Sequence, residues 1–323
     1  MCTAISYISK DHYFGRNLDL HESFLERVVI FPRNMPLPMR HEASLHQHYA
    51  MIGMAAVLEN YPLYYDATNE YGLSIAALNF PGNACYFPLH KGKQNITPFE
   101  FIPWILGQCK TVSEARTLLC NLNFADTPFH HDLPLSPLHW LIADKNESLT
   151  VEPTEHGVKV YDNTIGVLTN NPPFEYHLHH LAEFLNITNE QATNRFAPSV
   201  KIKPYSNGMG GIGLPGDLSS ASRFVKAAFT KLNSPQYSTE DLSVSQFFHI
   251  LESVYQQEGC AKVGEKFEKT IYTSCCNTKI GIYYYKTYEN SQITAINLFG
   301  ENLDGYDLVS FPLHRKQQYR WEN

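Results

Sequence analysis

At 323 residues, with 25 basic against 32 acidic side chains spread without long runs, the chain carries a net charge of −7. That balance excludes the basic footprint of a nucleic-acid binder. No apolar run approaches the roughly 18 residues of a membrane-spanning helix, and Asp11, His12 and Arg16 come too early for a signal peptide, so a soluble cytoplasmic protein without membrane insertion is expected.

The elements in chain order begin with strands. Tyr and Phe are abundant, which favours β-structure, and alternation predicts strands over Thr3–Ile8, Tyr13–Leu20, Val28–Phe31, Tyr49–Val57, Tyr61–Ala67 and Leu73–Phe80. Their short connections imply antiparallel pairing. Pro98–Leu106 is an apolar helical stretch, and Thr111-Val112-Ser113-Glu114 has capping-box spacing. Behind it, Val112, Ala115, Leu118, Leu119 and Leu122 share a helical face. Phe124–Pro137 is polar and proline-rich and reads as a long binding-site loop. Strands return at Leu138–Ala143, Leu149–Glu152, Val158–Tyr161 and Ile165–Thr169, ended by the prolines of Asn170-Asn171-Pro172-Pro173. Residues 174–206 are polar and fit no single pattern. The glycine-rich Gly208–Gly216 leads into a helix bearing Arg223, Val225, Phe229 and Leu232, and Ser245–Gln257 reads as another. Strands at Thr270–Cys275, Ile280–Tyr285 and Gln292–Leu298 close the chain, the first two joined by a hairpin turn at Asn277-Thr278-Lys279. Sheets alternating with helix pairs predict an α+β protein of stacked antiparallel sheets with helices outside. With no repeat, low-complexity segment or linker, residues 1–323 are expected to form a single domain.

The first residues, Met1-Cys2-Thr3-Ala4-Ile5, carry the chemistry. Removal of Met1 leaves Cys2 with a thiol and a free α-amine. The thiolate is a strong nucleophile. An α-amine, with a reference pKa of roughly 7.7–8.0, is the backbone group that acts as a base near neutrality. One residue then supplies nucleophile and base together, as N-terminal threonines do. The remaining cysteines point elsewhere. The seven are odd in number and lack C-x-x-C spacing, so a reducing compartment is expected, and the adjacent Cys275 and Cys276 read as half-buried residues on opposite faces of a strand.

Other motifs weigh less. Gly208-Met209-Gly210-Gly211-Ile212-Gly213 matches G-x-G-x-x-G, but Lys203-Pro204-Tyr205 precedes it and Pro215-Gly216 follows. A dinucleotide site needs a strand before it and a helix at its third glycine, so a flexible or closely packed loop is expected instead. His130-His131 and His177-Leu178-His179-His180 lack zinc-ligand spacing, and no metal site is expected. Arg16 and Asp19 lie within the run Phe14–Leu20, on opposite faces of an ideal strand, so a bulge or a strand end is needed to gather them. Asn79 and Asn170 close apolar strands, where amides beside a thiol suit an oxyanion hole.

These residues together resemble the choloylglycine hydrolase family of N-terminal-nucleophile (Ntn) hydrolases, which includes bile salt hydrolases and penicillin V acylases. The resemblance rests on Met1-Cys2-Thr3-Ala4, Phe14–Asp19, Tyr61–Tyr64, Gly72–Gly82, Pro98–Gln108, Leu133–Trp140, Gly166–Pro172 and Gly210–Phe224. It implies a four-layer αββα sandwich, a homotetramer, and a bacterial cytoplasmic enzyme active once Met1 is removed. It assigns Cys2 as nucleophile with its α-amine as proton acceptor. Arg16 would favour the thiolate and Asp19 would hold the amine. Asn170 and the main-chain N–H of Asn79 would meet the oxyanion, with Arg223 completing the charged network. Thiolate attack on an amide and hydrolysis of the thioester need no metal or organic cofactor. Asn79 is similar to bile salt hydrolases, where penicillin V acylases carry tyrosine, so the implied substrates are glycine- or taurine-conjugated bile salts of the glycocholate and taurocholate type. Leu18, Leu20, Tyr65, Leu133 and Leu135 are placed as pocket walls. A penicillin V or N-acyl homoserine lactone acylase is the alternative within the fold. A non-catalytic bile-acid binder is the alternative of another class, separable by a Cys2→Ser variant.

Overall fold

Along the strand Arg27–Phe31, Val28 and Ile30 pack into one core while Val29 and Phe31 pack into a second. The same alternation divides Ala76 and Leu78 from Ile75 and Ala77, and Leu141 and Ala143 from Trp140 and Ile142. Side chains of a strand point alternately to its two faces, so a sheet apolar on both must be covered on both. The computed structural model describes residues 1–323 and satisfies this with four layers.

One sheet has seven strands. Six run in the order Val167–Leu168, Cys2–Ile8, His12–Leu20, Lys266–Asn277, Ile282–Thr287 and Thr294–Asn297, and Ala261–Val263 pairs beside Lys266–Asn277. The other has eight, in the order Gly157–Asp162, Ser148–Thr154, Leu138–Ala143, Ser74–Asn79, Tyr61–Asn69, Met51–Leu58, Arg27–Phe31 and Val309–Pro312. Every pairing within both is antiparallel. The helices Phe101–Leu106 and Val112–Leu119 lie on the outer face of the eight-stranded sheet, and Ser220–Leu232 and Glu240–Glu252 on that of the seven-stranded sheet. This is the αββα arrangement of the Ntn hydrolases. No helix is long and apolar enough to cross a membrane.

Several expectations change in tertiary context. Leu122 does not continue the helix: that helix ends at Leu119, and Leu122–Phe124 pairs in parallel with Gln94–Ile96. Cys275 and Cys276 are not half-buried. Both are fully enclosed, because each face of their strand is covered, by the second sheet on one side and helices on the other. The helix expected at Ser245–Gln257 runs over Glu240–Glu252, and within 174–206 the segment Phe174–His180 is helical. The glycine-rich segment forms a short 3-10 turn at Met209–Gly211, with the next helix starting only at Ser220. A Cβ on Gly210 would lie 2.1 Å from Glu190 O, so the glycine serves close packing of the loop.

A second glycine bears on the site. A Cβ on Gly15 would stand 2.1 Å from Ser274 O. The neighbouring strand approaches there, and the main-chain N–H of Arg16 donates to Ser274 Oγ at 3.1 Å.

Candidate active site

Strand register brings the N-terminus, Leu18 and Asn170 together. Cys2 pairs with Leu18 on one side. On the other, Ala4 pairs with Leu168, and continuing that register by two residues sets Asn170 against Cys2. The Cys2 N–H donates to Asn170 Oδ1 at 2.7 Å. Cys2 is buried, with 2% of its surface exposed. The Met1 amine donates to Asp19 O at 2.7 Å and pairs with Glu268 at 2.9 Å, while Asp19 N–H donates to Met1 O at 3.0 Å.

Arg223 reaches this point from the first turns of the helix Ser220–Leu232. Its Nη1 donates to Cys2 O and, at 2.7 Å, to Thr3 Oγ1, and its Nη2 donates to Asn170 Oδ1 at 2.8 Å. Nε donates to Leu218 O at 3.0 Å, which fixes the fork's orientation. Burial pulls the Arg223 guanidinium below its ordinary value, opposed by the nearby acidic groups, Asp19 chief among them. Asn170 is shared further: its Nδ2 donates to Asn79 O at 2.7 Å, across to the other sheet. Phe80 N–H donates to Pro137 O at 2.7 Å. Alternation along an antiparallel ladder therefore turns the N–H and C=O of Asn79 away from that neighbour and towards the Asn170 side.

Arg16 and Asp19 leave their strand on opposite faces. Arg16, fully buried, points between the sheets, where it donates to Tyr65 O at 3.0 Å and to Ala77 O. Its hydrogen bonds all go to main-chain carbonyls, and Nη2 has no partner. Burial opposes its charge, but Cys2, Tyr272, Asp66 and Asp19 together hold its pKa above the usual value. A buried cation without a carboxylate in contact is costly. Asp19 accepts from Thr270 Oγ1 at 2.6 Å on Oδ1, while Oδ2 is buried without a partner. Burial raises its carboxyl above the usual range, countered by Arg223, the N-terminal amine, Thr270 and Arg16. A bulge does occur here, on the facing strand between Thr270 and Tyr272. It brings Thr270 opposite Asp19. Arg16 and Asp19 thus flank Cys2 from two sides without bonding each other.

Of the residues expected at the pocket, Leu18 lies in the core that holds Cys2, and Leu20 and Tyr65 pack against it. Leu133 is 41% exposed and Leu135 half-buried on the 124–137 segment, and neither joins that core. A cleft of about 780 Å³ is at the other end of the N-terminal strand, lined by Ser6, Tyr7, Ile8, Asp144 and Lys231 among others, and none of Cys2, Arg16, Asp19, Asn79, Asn170 and Arg223 lines it. His130, His131 and Asp132 cluster on the surface, all exposed.

Sequence reasoning passed over several residues. Asp66, on the strand Tyr61–Asn69, faces Arg16 from the second sheet and accepts from Tyr272 Oη at 2.6 Å, Tyr283 Oη at 2.7 Å and Ser274 Oγ at 3.1 Å. Burial raises its carboxyl, with Arg16 the chief opposing influence. A charge inside the apolar run Tyr61–Asn69 was the available signal, the same one that marks Arg16. His139 and His177 are also buried beside Asn170. His177 donates from Nε2 to Asn170 O at 3.0 Å and stacks on Phe224, and burial pushes its imidazole down to about 4.

A family model described as linear amide C–N hydrolases, choloylglycine hydrolase family, matches residues 2–311. The chain belongs to this family. Among choloylglycine hydrolase relatives it is 54% identical over 320 residues to a bile salt hydrolase/transferase of Lactiplantibacillus plantarum, covering 99% of both chains. It is 37% identical over 321 residues to a bile salt hydrolase/transferase of Clostridium perfringens, covering 98% of each. The solved structure of a mutant conjugated bile acid hydrolase from Clostridium perfringens superposes with a TM-score of 0.93 at 35% identity over the whole of both chains. A penicillin V acylase from Agrobacterium tumefaciens, at 19% identity and a TM-score of 0.77 over 96% of this chain and 91% of its own, shares the fold.

Proposed function

We propose that the protein hydrolyses the amide of glycine- and taurine-conjugated bile salts with Cys2 as nucleophile, after loss of Met1. The observation that carries this reading is the Asn170 amide, which joins Cys2 N, Arg223 and Asn79 O in one cluster in a chain of this family. While Met1 is attached, Cys2 N is an amide nitrogen that donates and has no basic lone pair. Cleavage of that one peptide bond turns it into an amine, and Asp19, whose Oδ2 is buried without a partner, is the carboxylate read as holding it. The amine takes the thiol proton, and Arg16 stabilises the thiolate. Sγ then attacks the substrate carbonyl, and the oxyanion is met by the Asn79 N–H and Asn170 Nδ2. As the C–N bond breaks, the α-ammonium returns the proton to the departing glycine or taurine. Water cleaves the thioester and releases the bile acid. Both curated relatives named above carry the word transferase, and a thioester partitions between water and a free amine. The chain acts as one domain: the late strand Val309–Pro312 pairs with Arg27–Phe31, and strands of both sheets pack into a shared core. Seven unpaired cysteines suit the bacterial cytoplasm.

A homotetramer is part of this reading. Leu185, Phe196, Val200, Ile202, Tyr205 and Ile212 are all exposed between residues 185 and 212, and this concentration of exposed apolar side chains is what supports an association surface.

The test is hydrolysis of taurocholate, glycocholate and penicillin V by purified protein, with intact mass recorded first. Released taurine or glycine from Met1-free protein is expected, and protein retaining Met1 is expected to be inactive. Turnover of penicillin V alone overturns the substrate. Equal activity with Met1 in place overturns the role of the amine. Binding of bile salt without turnover in Met1-free, reduced protein leaves the binder.

A further inference from the structure

The two main-chain carbonyls flanking the Asn170 α-carbon are each held by a buried histidine. His139 Nε2 lies 2.8 Å from Thr169 O, and His177 Nε2 lies 3.0 Å from Asn170 O. A carbonyl only accepts, so both nitrogens carry protons. Behind both histidines stands one carboxyl. Glu152 Oε1 is 3.1 Å from His139 Nδ1 and accepts the N–H of Phe174 at 2.9 Å. Phe174 is the first residue of the helix that carries His177. Glu152, His139, His177 and Phe174 are each 0% exposed. The His139 ring lies flat on Phe80, 4.3 Å between centroids and 4° from parallel, so it has no freedom to follow a shifted backbone. Phe80 directly follows Asn79, whose carbonyl Asn170 engages. Neither His139 nor Glu152 touches Cys2 or the amide of Asn170.

We propose that Glu152 and His139 are positioning residues for the amidase reaction: through Thr169 O, and through the helix bearing His177, they set Asn170 at the distance from Cys2 that the oxyanion requires. This rests on the reading of Asn170 as an oxyanion donor. A buried pair with one carboxyl tying two carbonyl clamps confines the amide more tightly than the two-residue strand Val167–Leu168 does by itself. Because the His139–Glu152 contact needs a proton between two acceptors, a glutamine at 152 cannot keep both bonds. Its oxygen satisfies Phe174 and faces the Nδ1 lone pair, or its amide nitrogen satisfies Nδ1 and faces the Phe174 N–H.

The experiment measures kcat and KM for taurocholate with Met1-free wild type, Glu152→Gln, Asn170→Ala and the double variant, alongside alkylation of Cys2 by iodoacetamide. Misplacement of a donor by about 1 Å removes roughly a hundredfold in rate, so Glu152→Gln is expected to lower kcat roughly ten- to a hundredfold. KM should stay within about twofold and the alkylation rate should not change. On the Asn170→Ala background the same substitution should remove nothing further, since coupled residues are not additive. A full multiplicative loss in the double variant, an unchanged kcat, or slowed alkylation overturns the proposal while leaving Asn170 in its role. A wild-type kcat in Asn170→Ala removes that role and the proposal with it. Should Glu152→Gln not fold, His139→Gln keeps a donor for Thr169 O, and it is expected to retain more kcat than His139→Leu. Equal loss in those two overturns the proposal.

Discussion

Cys2, Arg16, Asp19, Asn170 and Arg223 are legible in the sequence because each is a polar residue where an apolar one is expected, or belongs to a block shared with a family. Their partners are less so. Asp66 joins Arg16 only when the second sheet is laid on the first, and His139 joins Asn170 only through the carbonyl of Thr169. Thr270 meets Asp19 through a bulge on a strand some 250 positions away in the chain, a separation of 251 residues. Buried histidines give a prediction at this scale. Burial pushes His12 and His177 down to about 4 from an ordinary 6.5. The unfolded chain takes up these protons near 6.5 and the folded chain resists until about 4, so each contributes stability that is present above 6.5 and lost as pH falls towards 4. At pH 5 the loss is about 2 kcal/mol for each. Asp19 and Asp66, raised by burial, work in the opposite direction, so the difference between two proteins is the informative quantity. Urea denaturation at pH 7.5 and pH 5 should show His177→Gln losing about 2 kcal/mol less than wild type on acidification. Parallel losses would mean that His177 is charged in the folded state.

At the scale of elements, two neighbouring strands form the platform of the site. Cys2–Ile8 and His12–Leu20 form a hairpin whose second strand is gripped by Lys266–Asn277. The sequence shows Gly15 only as a gap in an apolar run. The structure shows that Ser274 O occupies the space of its missing side chain. A Gly15→Ala variant must push the strands apart beside Arg16, an overpacking that destabilises by about 1–3 kcal/mol. Because Arg16 N–H is bonded to Ser274, the shift also displaces the guanidinium, and kcat should fall by more than KM changes. Guanidinium denaturation and steady-state kinetics check both, and wild-type stability with wild-type kcat would show that the strands separate freely. Helix ends were less legible. Leu122 satisfies the helical face of Val112–Leu119, yet it pairs with Gln94 in a short parallel ladder, because an apolar residue one turn past a helix end fits either partner and only the nearby strand decides.

At the scale of the whole molecule, residues 174–206 have a polar character that fits no periodicity. The structure carries most of this segment, with residues to 212, as a weakly packed excursion on which Phe196 is 91% exposed. An apolar ring on the surface of a monomer is covered when copies associate. A Phe196→Glu variant is therefore expected to keep the monomer fold and lower the assembly mass in light scattering from that of the proposed tetramer. An unchanged mass would place the contact elsewhere. Composition, alternation and family blocks by themselves determined an α+β protein of antiparallel sheets, the N-terminal thiol and the residue types around it, since those depend on local period and on which residues carry chemistry. Only the tertiary structure decided which faces were doubly buried, that Arg16 and Asp19 stand on either side of Cys2 without touching, and that one carboxyl stands behind both clamps on Asn170. Those are contacts between residues far apart in the chain, set by register and by the stacking of layers, and a local pattern contains neither.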